Sequence, residues 1–264
     1  MTSRNRPCDC GSGKRFKHCC GEISAQQPTD LGKESFVYDD QGLFPIQLRG
    51  QGMERFCEDL PTGRGLPLPW SPPGLRVVQN FLTADKCDEL VRFLSKQPSK
   101  DAKVQHVGPK SGTQEERLSQ QRITKHVETG AMRQTTIDLI VLAFRDVVTP
   151  YFKARIETLE EPFALKYAPG GKFGLHADSE HWSAGKKRWV RSHDRDYSVL
   201  LYLNDGYEGG AISFPNFKLR IQPKRGMLLT FPSDHRFIHE AEPLISGERY
   251  VLVSWGLDKA TTKI

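Results

Sequence analysis

The sequence predicts a mainly β protein with flanking α-helices (an α+β fold), and three observations carry this prediction. From residue 162 onward, short apolar segments alternate with turn residues, a pattern typical of a β-sandwich or barrel. Before that point, two segments carry apolar residues at helical spacing. The chain has 264 residues, enough for one sizeable domain with appendages, and a core of that size needs neither disulfides nor a metal to be stable.

The first predicted elements are a strand at residues 75–82, "LRVVQNFL", and a helix at 83–97, "TADKCDELVRFLSKQ". Thr83 is suited to the N-cap position because its hydroxyl can accept a bond from a free backbone N–H. The helix has an apolar stripe with i, i+3, i+4, i+7 spacing, formed by Cys87, Leu90, Val91 and Leu94. Cys87 is therefore predicted to be a packed core thiol.

In the middle of the chain, the sequence predicts a segment with little regular structure followed by a long helix. Residues 99–130 are polar, with two short strands expected around Val104–Val107 and Gln121–Lys125. Residues 130–156 predict a helix that Thr149-Pro150 breaks or restarts, because proline lacks a backbone N–H. The strands expected after residue 162 are "FALKYAP", "YSVLLYLND", "GAISFP", "KLRIQP", "GMLLTFP", "RFIHEA" and "RYVLVSW".

These elements divide the chain into four parts. Residues 1–22 form a small cysteine-rich module, 23–74 a connector, 75–160 a helical support region, and 161–258 the β domain. The connector contains "LPTGRGLPLPWSPPG", whose five prolines and three glycines cannot sustain a helix or a central strand.

Charge and hydropathy argue against three classes of protein: dedicated DNA-binding proteins, membrane-spanning proteins and secreted proteins. The net charge of +6 is mildly basic, unlike that of a dedicated DNA-binding protein. Its excess lies partly in residues 1–22 and 185–195, which suit an acidic partner or RNA, or are simply solvated basic faces. The sequence contains no run of eighteen apolar residues, so it predicts no membrane span. Its first residues include no apolar segment of the kind found in a secretory signal, so none is expected. We therefore expect a cytoplasmic protein with reduced thiols.

Four of the six cysteines, Cys8, Cys10, Cys19 and Cys20, lie in "CDCGSGKRFKHCC". In a reducing compartment such a cluster predicts a structural zinc site, since four thiolates satisfy tetrahedral Zn(II). A redox-active or accidental cluster is the alternative, and His18 is a substitute ligand. The stretch resembles the SEC-C motif, a short zinc-binding module. That resemblance implies docking to a protein or to the ribosome, with a translation factor or ribosomal protein as the expected partner.

The segment "KFGLHADSEHW" holds the densest group of metal-capable side chains. His176 and Asp178 lie on the same side of an extended backbone, because side chains alternate with period two. A jelly-roll barrel can bring His239 beside them as a third ligand. Two histidines and one carboxylate form the facial triad of non-haem Fe(II) oxygenases. Polar loop residues without a metal are the alternative, and His235 is a rival of His239 that we expect at the surface.

A cosubstrate anchor is predicted ten positions after His239, at Arg249. An arginine inside a barrel is a costly buried charge unless it meets an anion, and its planar fork matches a carboxylate. Tyr202 and Tyr167 are candidate hydroxyl donors near it; for Tyr167 an ordinary strand tyrosine is the alternative.

From about Leu75 to Leu257 the sequence resembles the prolyl 4-hydroxylase branch of the Fe(II)/2-oxoglutarate-dependent dioxygenases. The matching segments are "FLTADKCDELVRFL", "LKYAPGGKFGLHAD", "YSVLLYLND", "EGGAISFP", "GMLLTFPSD" and "IHEAEPLISGERYVLVSW". The resemblance implies a double-stranded β-helix (jelly roll) with helices packed outside it. It also implies that His176, Asp178 and His239 bind Fe(II).

The same resemblance implies roles at the cosubstrate. Arg249 would hold the C5 carboxylate of 2-oxoglutarate, Tyr202 would assist it, and Tyr167 would contact the cosubstrate near the metal. Ascorbate is the implied reductant. Ala211 follows Gly209-Gly210 at a position where many relatives have a larger residue. This difference changes the floor of the expected pocket, so the resemblance does not determine which substrate fits.

The predicted function is hydroxylation of a prolyl or other residue in a protein substrate, with release of succinate and CO2. Residues 179–196 are expected to form a loop over the mouth of the site, in which Glu180 and His181 line the entrance or are exposed. Trp182 and Trp189 contact substrate or anchor that loop, and Trp255 is expected in the core. The alternatives are an oxygenase acting on nucleic acid or a small molecule, and a zinc-anchored adaptor with weak catalysis.

Overall fold

The computed structural model describes residues 74–107, 114–183, 185–217 and 219–264. The predicted zinc cysteines Cys8, Cys10, Cys19 and Cys20 lie outside these residues, as does nearly all of the connector at 23–74. The predictions for those segments therefore stay predictions.

The strands of the described part, in chain order, are β1 (Arg76–Val78), β2 (Ser99–Asp101), β3 (Val104–Val107), β4 (Gln114–Arg117), β5 (Arg122–Ile123), β6 (Lys125–Val127), β7 (Ile156–Leu159), β8 (Phe163–Tyr167), β9 (Lys172–His176), β10 (Glu180–Ser183), β11 (Arg188–Arg191), β12 (Tyr197–Tyr202), β13 (Glu208–Gly209), β14 (Ile212–Phe214), β15 (Leu219–Ile221), β16 (Leu228–Pro232), β17 (His239–Ala241), β18 (Leu244–Ser246) and β19 (Arg249–Asp258). The α-helices are α1 (Ala84–Leu94), α2 (Arg133–Ala143) and α3 (Thr149–Phe152).

Two antiparallel sheets build the core. The larger has the strand order β1-β16-β12-β19-β8-β6-β2, with β7 pairing along β19. The smaller has the order β15-β14-β17-β9-β5. The apolar faces of the two sheets share one buried cluster, which includes Tyr202, Phe214, Ile221, Phe231 and Val251. This is the double-stranded β-helix with packed helices that the sequence predicts.

Side-chain alternation along β19 explains how one strand serves two cores. Val251, Val253 and Trp255 belong to the cluster between the sheets, whereas Tyr250 and Leu252 belong to a second cluster beneath the helices. Because successive side chains point to opposite faces, Arg249 shares the inner face with Val251.

Helix α1 confirms the predicted stripe. Cys87, Leu90 and Leu94 are buried against the outer face of the larger sheet, and burial raises the pKa of the Cys87 thiol to about 11. Thr83 occupies the N-cap position with an extended backbone, but its side chain makes no capping bond.

The helix predicted at residues 130–156 extends from Arg133 to Phe152, and of the two predicted alternatives the structure shows the restart, since a new α-helical segment begins at Thr149. A π-helical turn at Phe144–Val148 joins α2 to α3, with Pro150 in the first turn of α3. Proline removes a backbone donor and crowds the preceding turn, and a widened turn accommodates both effects. The helix ends at Lys153, which has the left-handed φ of 54°.

The predicted helical support region, residues 75–160, also contributes strands. β2 and β6 extend the larger sheet, and β5 pairs with β9 of the smaller one. These strands have two or three residues each, too few for an alternating pattern to be recognised in the sequence. The predicted loop at 179–196 likewise contains a hairpin, formed by β10 and β11.

Across the described ranges, no helix combines the length and the apolar character that crossing a membrane requires.

Candidate active site

Strands β9 and β17 bring the predicted metal ligands together. The two strands pair antiparallel, with His239 directly opposite His176, and Asp178 follows two residues after the end of β9. Nε2 of His176 lies 3.5 Å from Oδ1 of Asp178, and Nε2 of His239 lies 3.9 Å from its Oδ2. The three ligand atoms lie within 4.8 Å of one another. His235, the predicted rival of His239, is not part of this group.

Backbone carbonyls orient both imidazoles. Nδ1 of His176 lies 2.8 Å from the carbonyl oxygen of Gly174, and Nδ1 of His239 lies 3.0 Å from that of Phe237. A carbonyl oxygen only accepts, so each Nδ1 carries the proton and donates it. Nε2 of each ring is therefore left with a free lone pair directed at Asp178, as a metal ligand requires. The Phe173 ring stacks on His176 at 3.6 Å and fixes its plane.

Asp178 is held as a buried carboxylate. Its Oδ2 accepts a hydrogen bond from the Ser198 hydroxyl at 2.6 Å. Burial alone would raise the pKa of Asp178, but His239, His176 and Ser198 together hold it well below its usual value. Burial lowers the pKa of His239 to about 4. At neutral pH, His239 is thus a neutral ligand beside a carboxylate, and their contact is not an ion pair.

A second layer of contacts fixes the backbone of Asp178. Arg195 donates to the carbonyl oxygen of Asp178 at 3.2 Å and binds the Glu160 carboxylate with two bonds of 2.5 and 2.7 Å. Its guanidinium lies 3.7 Å from the ring centre of Trp255, which is buried as predicted. The carboxylate ligand is therefore anchored through both its side chain and its main chain.

Arg249 is a buried cation on the inner face of β19. Only 2% of the residue is exposed, and its Nη1 donates to the carbonyl oxygen of Gly210. The guanidinium lies 3.9 Å from the ring centre of Tyr167. Burial raises the pKa of Tyr202, and Arg249 partly opposes that rise. The Tyr167 ring thus lies against the Arg249 guanidinium, and the charge of Arg249 acts on Tyr202. The cosubstrate contacts predicted for these two hydroxyls stay predictions.

The unsatisfied donors of Arg249 and Tyr207 fit an anion. Nε of Arg249 and the hydroxyl of Tyr207 are both buried without a hydrogen-bond partner among the described residues. A buried guanidinium donor left unpaired is costly, and a carboxylate is the planar acceptor that its fork matches. The Arg249 guanidinium therefore suits the distal carboxylate of 2-oxoglutarate, and two imidazoles with one carboxylate suit Fe(II).

The β10–β11 hairpin is attached at the edge of the metal centre. Glu180 accepts two bonds from His235, from its backbone N at 2.8 Å and from Nδ1 at 2.5 Å. The Trp189 ring stacks on His235 at 5.5 Å and meets Trp182 edge-on at 5.9 Å. His235, expected at the surface, is therefore half-buried, because it anchors the hairpin. His181 is the second residue of β10 in the same hairpin, and its Nδ1 is buried.

Sequence reasoning missed four residues of the site: Ser198, Arg195, Tyr207 and Arg122. Arg122 on β5 is placed 4.7 Å from the centre of the Phe173 ring and donates to the carbonyl oxygen of Lys103 at 3.1 Å. Period-two alternation along β12 was the available signal for Ser198, which lies four residues before Tyr202 and therefore on the same face. The other three carry no pattern of their own.

Comparison with known proteins agrees with this geometry. The sequence profile of the 2OG-Fe(II) oxygenase superfamily matches residues 162–256, and that of the SEC-C motif matches residues 4–22. A PKHD-type hydroxylase of Sphingopyxis alaskensis is 33% identical over 110 residues, which are 39% of this chain and 45% of that protein. Prolyl 3-hydroxylase 2 of Homo sapiens is 35% identical over 66 residues, 23% of this chain and 9% of that protein. The chain thus spans less than half the length of either relative.

A solved structure shows the same fold. It is a prolyl hydroxylase from Trichoplax adhaerens in complex with a hypoxia inducible factor oxygen degradation domain peptide fragment. The match has a TM-score of 0.53 and 21% sequence identity, and covers 70% of this chain and 84% of that one.

The matched segment contains the two histidines and the aspartate of the metal group together with Arg249, Tyr202 and Tyr167. Residues 162–256 of this chain form a domain of the 2OG-Fe(II) oxygenase superfamily.

Proposed function

We propose that the chain is an Fe(II)- and 2-oxoglutarate-dependent hydroxylase of a prolyl residue in a protein substrate, with succinate and CO2 as coproducts. One observation carries the proposal: a group of two histidines and an aspartate lies in the same barrel as a buried arginine whose Nε has no hydrogen-bond partner among the described residues. The first is a site for the metal, and the second is a site for the cosubstrate carboxylate.

Each residue has a distinct task in this proposal. His176, Asp178 and His239 would hold Fe(II). Bound Fe(II) and 2-oxoglutarate supply the activation of dioxygen and the oxidation of a substrate C–H bond. Arg249 binds and orients the distal carboxylate, and the apolar cluster around Phe214 and Phe231 excludes water from the barrel interior.

The prolyl substrate is proposed from the relatives. The human relative is a prolyl 3-hydroxylase, and the Trichoplax protein of the same fold is a prolyl hydroxylase in complex with a peptide fragment. The resemblance of the motifs to prolyl 4-hydroxylases favours C4 as the hydroxylated atom. The hairpin of β10 and β11, fixed at the edge of the site by Glu180 and His235, would border the bound peptide.

The test is turnover of proline-containing peptides. Purified protein receives Fe(II), 2-oxoglutarate, ascorbate as reductant and a peptide library, and succinate and a mass increase of one oxygen on peptide are measured. Amino-acid analysis of the product separates 4-hydroxyproline from 3-hydroxyproline. If succinate release across the library is no higher than that of the Asp178→Ala variant, the catalytic proposal is wrong.

A nucleic-acid substrate is the second candidate. The favouring observation is the turn of the hairpin, where Lys186, Lys187 and Arg188 are exposed. Cations of this kind can contact phosphate groups. Oligonucleotides in the same assay discriminate the candidates, since the added oxygen then appears on a nucleoside instead of a peptide.

We also propose that the SEC-C segment recruits the substrate. The profile match at residues 4–22 supports a zinc module, in which Cys8, Cys10, Cys19 and Cys20 bind Zn(II) and dock to a ribosomal protein or translation factor in the cytoplasm. Removing residues 1–22 should abolish capture of ribosomes while peptide turnover persists. Loss of turnover with retained capture would contradict this division of roles, and so would a full-length protein that holds no zinc.

A further inference from the structure

Tyr207 lies in the connection between β12 and β13, five residues after Tyr202, and no motif of the sequence singles it out. Its hydroxyl is buried and has no hydrogen-bond partner among the described residues. A buried hydroxyl without a partner costs about 1–3 kcal/mol, so its presence calls for a ligand or another role.

The position of Tyr207 is fixed by two glycines. A Cβ atom on Gly210 would lie 3.2 Å from Nη1 of Arg249 and 3.5 Å from Cε2 of Tyr207, so the guanidinium and the edge of the ring converge on this glycine. A Cβ atom on Gly247 would lie 3.0 Å from both Cα and Cβ of Tyr207. The base of the Tyr207 side chain is therefore packed against the turn that precedes β19, which carries Arg249.

The electrostatic environment keeps the Tyr207 hydroxyl a donor. Burial raises the pKa of Tyr207, and the positive charge of Arg249 only partly opposes the rise. The phenol is thus protonated at neutral pH. Among the described residues, Nε of Arg249 and Oη of Tyr207 are thus two buried donors without hydrogen-bond partners, and the positive charge of Arg249 acts on Tyr207.

A carboxylate would satisfy both unpaired donors and neutralise the charge of Arg249, because it carries one negative charge and accepts several hydrogen bonds through its two oxygens. We propose that Tyr207 donates a hydrogen bond to the distal carboxylate of 2-oxoglutarate, beside the ion pair which that carboxylate makes with Arg249. This inference rests on the proposed function. It makes Tyr207 a binding residue that selects cosubstrates by their distal carboxylate.

The Tyr207→Phe variant tests this assignment without turnover. Mn(II) replaces Fe(II), and binding of 2-oxoglutarate is followed by calorimetry and by the rise in Tm. We expect the variant to bind 2-oxoglutarate about 10-fold more weakly, which is the order expected for one hydrogen bond to a charged group. Without ligand its Tm should equal or exceed that of the wild type, since the lost hydroxyl had no partner.

Oxalate provides the matched ligand, because it chelates a metal but has no distal carboxylate. Its affinity should be the same for wild type and Tyr207→Phe. Tyr250→Phe provides the matched variant: that hydroxyl donates to Glu248 at 3.0 Å, and the Tyr250 ring belongs to the cluster beneath the helices. Tyr250→Phe should leave the affinity for both ligands unchanged.

The outcomes separate this inference from the proposed function. Equal affinity of wild type and Tyr207→Phe for 2-oxoglutarate would overturn the inference alone. A lower Tm without ligand, together with equal weakening of oxalate and 2-oxoglutarate, would also overturn it and assign Tyr207 a structural role. If the wild-type protein binds oxalate with Mn(II) but not 2-oxoglutarate, the proposed function itself fails.

Discussion

His176 and His239 face each other across β9 and β17, with ring centroids 4.3 Å apart and both Nε2 atoms within 4 Å of the Asp178 carboxylate. The pair depends on strand register, because a shift of β17 by one residue would turn His239 to the other face of the sheet. Asp178, two residues beyond His176, completes the group from the loop that follows β9. One strand pairing therefore brings the two histidines together, and the loop after β9 adds the aspartate.

The Asp178→Asn variant should lose iron while it keeps its fold. The amide is isosteric but neutral, so the metal charge has no compensating carboxylate. We expect iron content after anaerobic reconstitution to fall at least about 10-fold, measured by elemental analysis, and succinate formation to fall with it. Glu180→Gln is the control and should retain iron, because Glu180 bonds His235 and is not directed at the metal group. Equal loss of iron in both variants would contradict the assignment.

Ser198→Ala should weaken metal binding through Asp178. The Ser198 hydroxyl bonds Oδ2 of Asp178 at 2.6 Å and lies 2.8 Å from Oγ of Ser233. Losing such an orienting contact typically lowers metal affinity about 10–100-fold. Ser254→Ala removes an equally buried hydroxyl, one that bonds the Glu160 carbonyl oxygen at 2.6 Å. Competition with a chelator should show weaker metal binding only for Ser198→Ala; similar affinities in the two variants would rule out this role.

Gly210→Ala should impair cosubstrate binding. Gly210 has a φ of +64°, and a Cβ there would contact Leu244 and lie 3.2 Å from Nη1 of Arg249. The backbone conformation alone costs about 1–2 kcal/mol for a residue with a Cβ. We expect a lower Tm and weaker 2-oxoglutarate binding with Mn(II). Gly206→Ala, in the same connection, has open space around its Cβ and should change neither; a loss there as large as at Gly210 would point to general disturbance of the connection.

The metal-free protein should become less stable as the pH falls from neutral. The native pKa of His239 is about 4, below its usual value of 6.5, so between these values the unfolded chain binds more protons than the native one. The free energy of unfolding therefore rises with pH across this window. The lowered pKa of Asp178 acts in the same direction at lower pH. Urea unfolding in chelator from pH 4 to 7 measures the effect, and His239→Gln should flatten the profile. A stability maximum near pH 4.5 would refute this account.

The chemistry of the site could be predicted from the sequence because its signals are local. His176 and Asp178 stand two positions apart, and this spacing places both side chains on one side of an extended segment whatever the rest of the chain does. The stripe of α1 that buries Cys87 is local in the same way. Arg249 could be predicted because a lone arginine in an apolar strand needs an anion to be stable.

Other features depend on contacts between residues far apart in the chain. The residues next to His235 in the sequence do not show whether it is a surface histidine, because its hydrogen-bond partner Glu180 is 55 positions away. Tyr207 has no local pattern, and only the packing of its connection against Gly247 and Gly210 brings it to Arg249.

The sequence by itself determined which side chains are available to bind the metal and the carboxylate. It also determined that short β-strands carry them, because helical and strand periodicities are set by neighbouring residues. The tertiary structure decided which histidine completes the group, that Ser198 and Arg195 anchor Asp178, and that Tyr207 joins Arg249. The physical reason is that strand register and the burial of unpaired donors arise only when the two sheets close on each other.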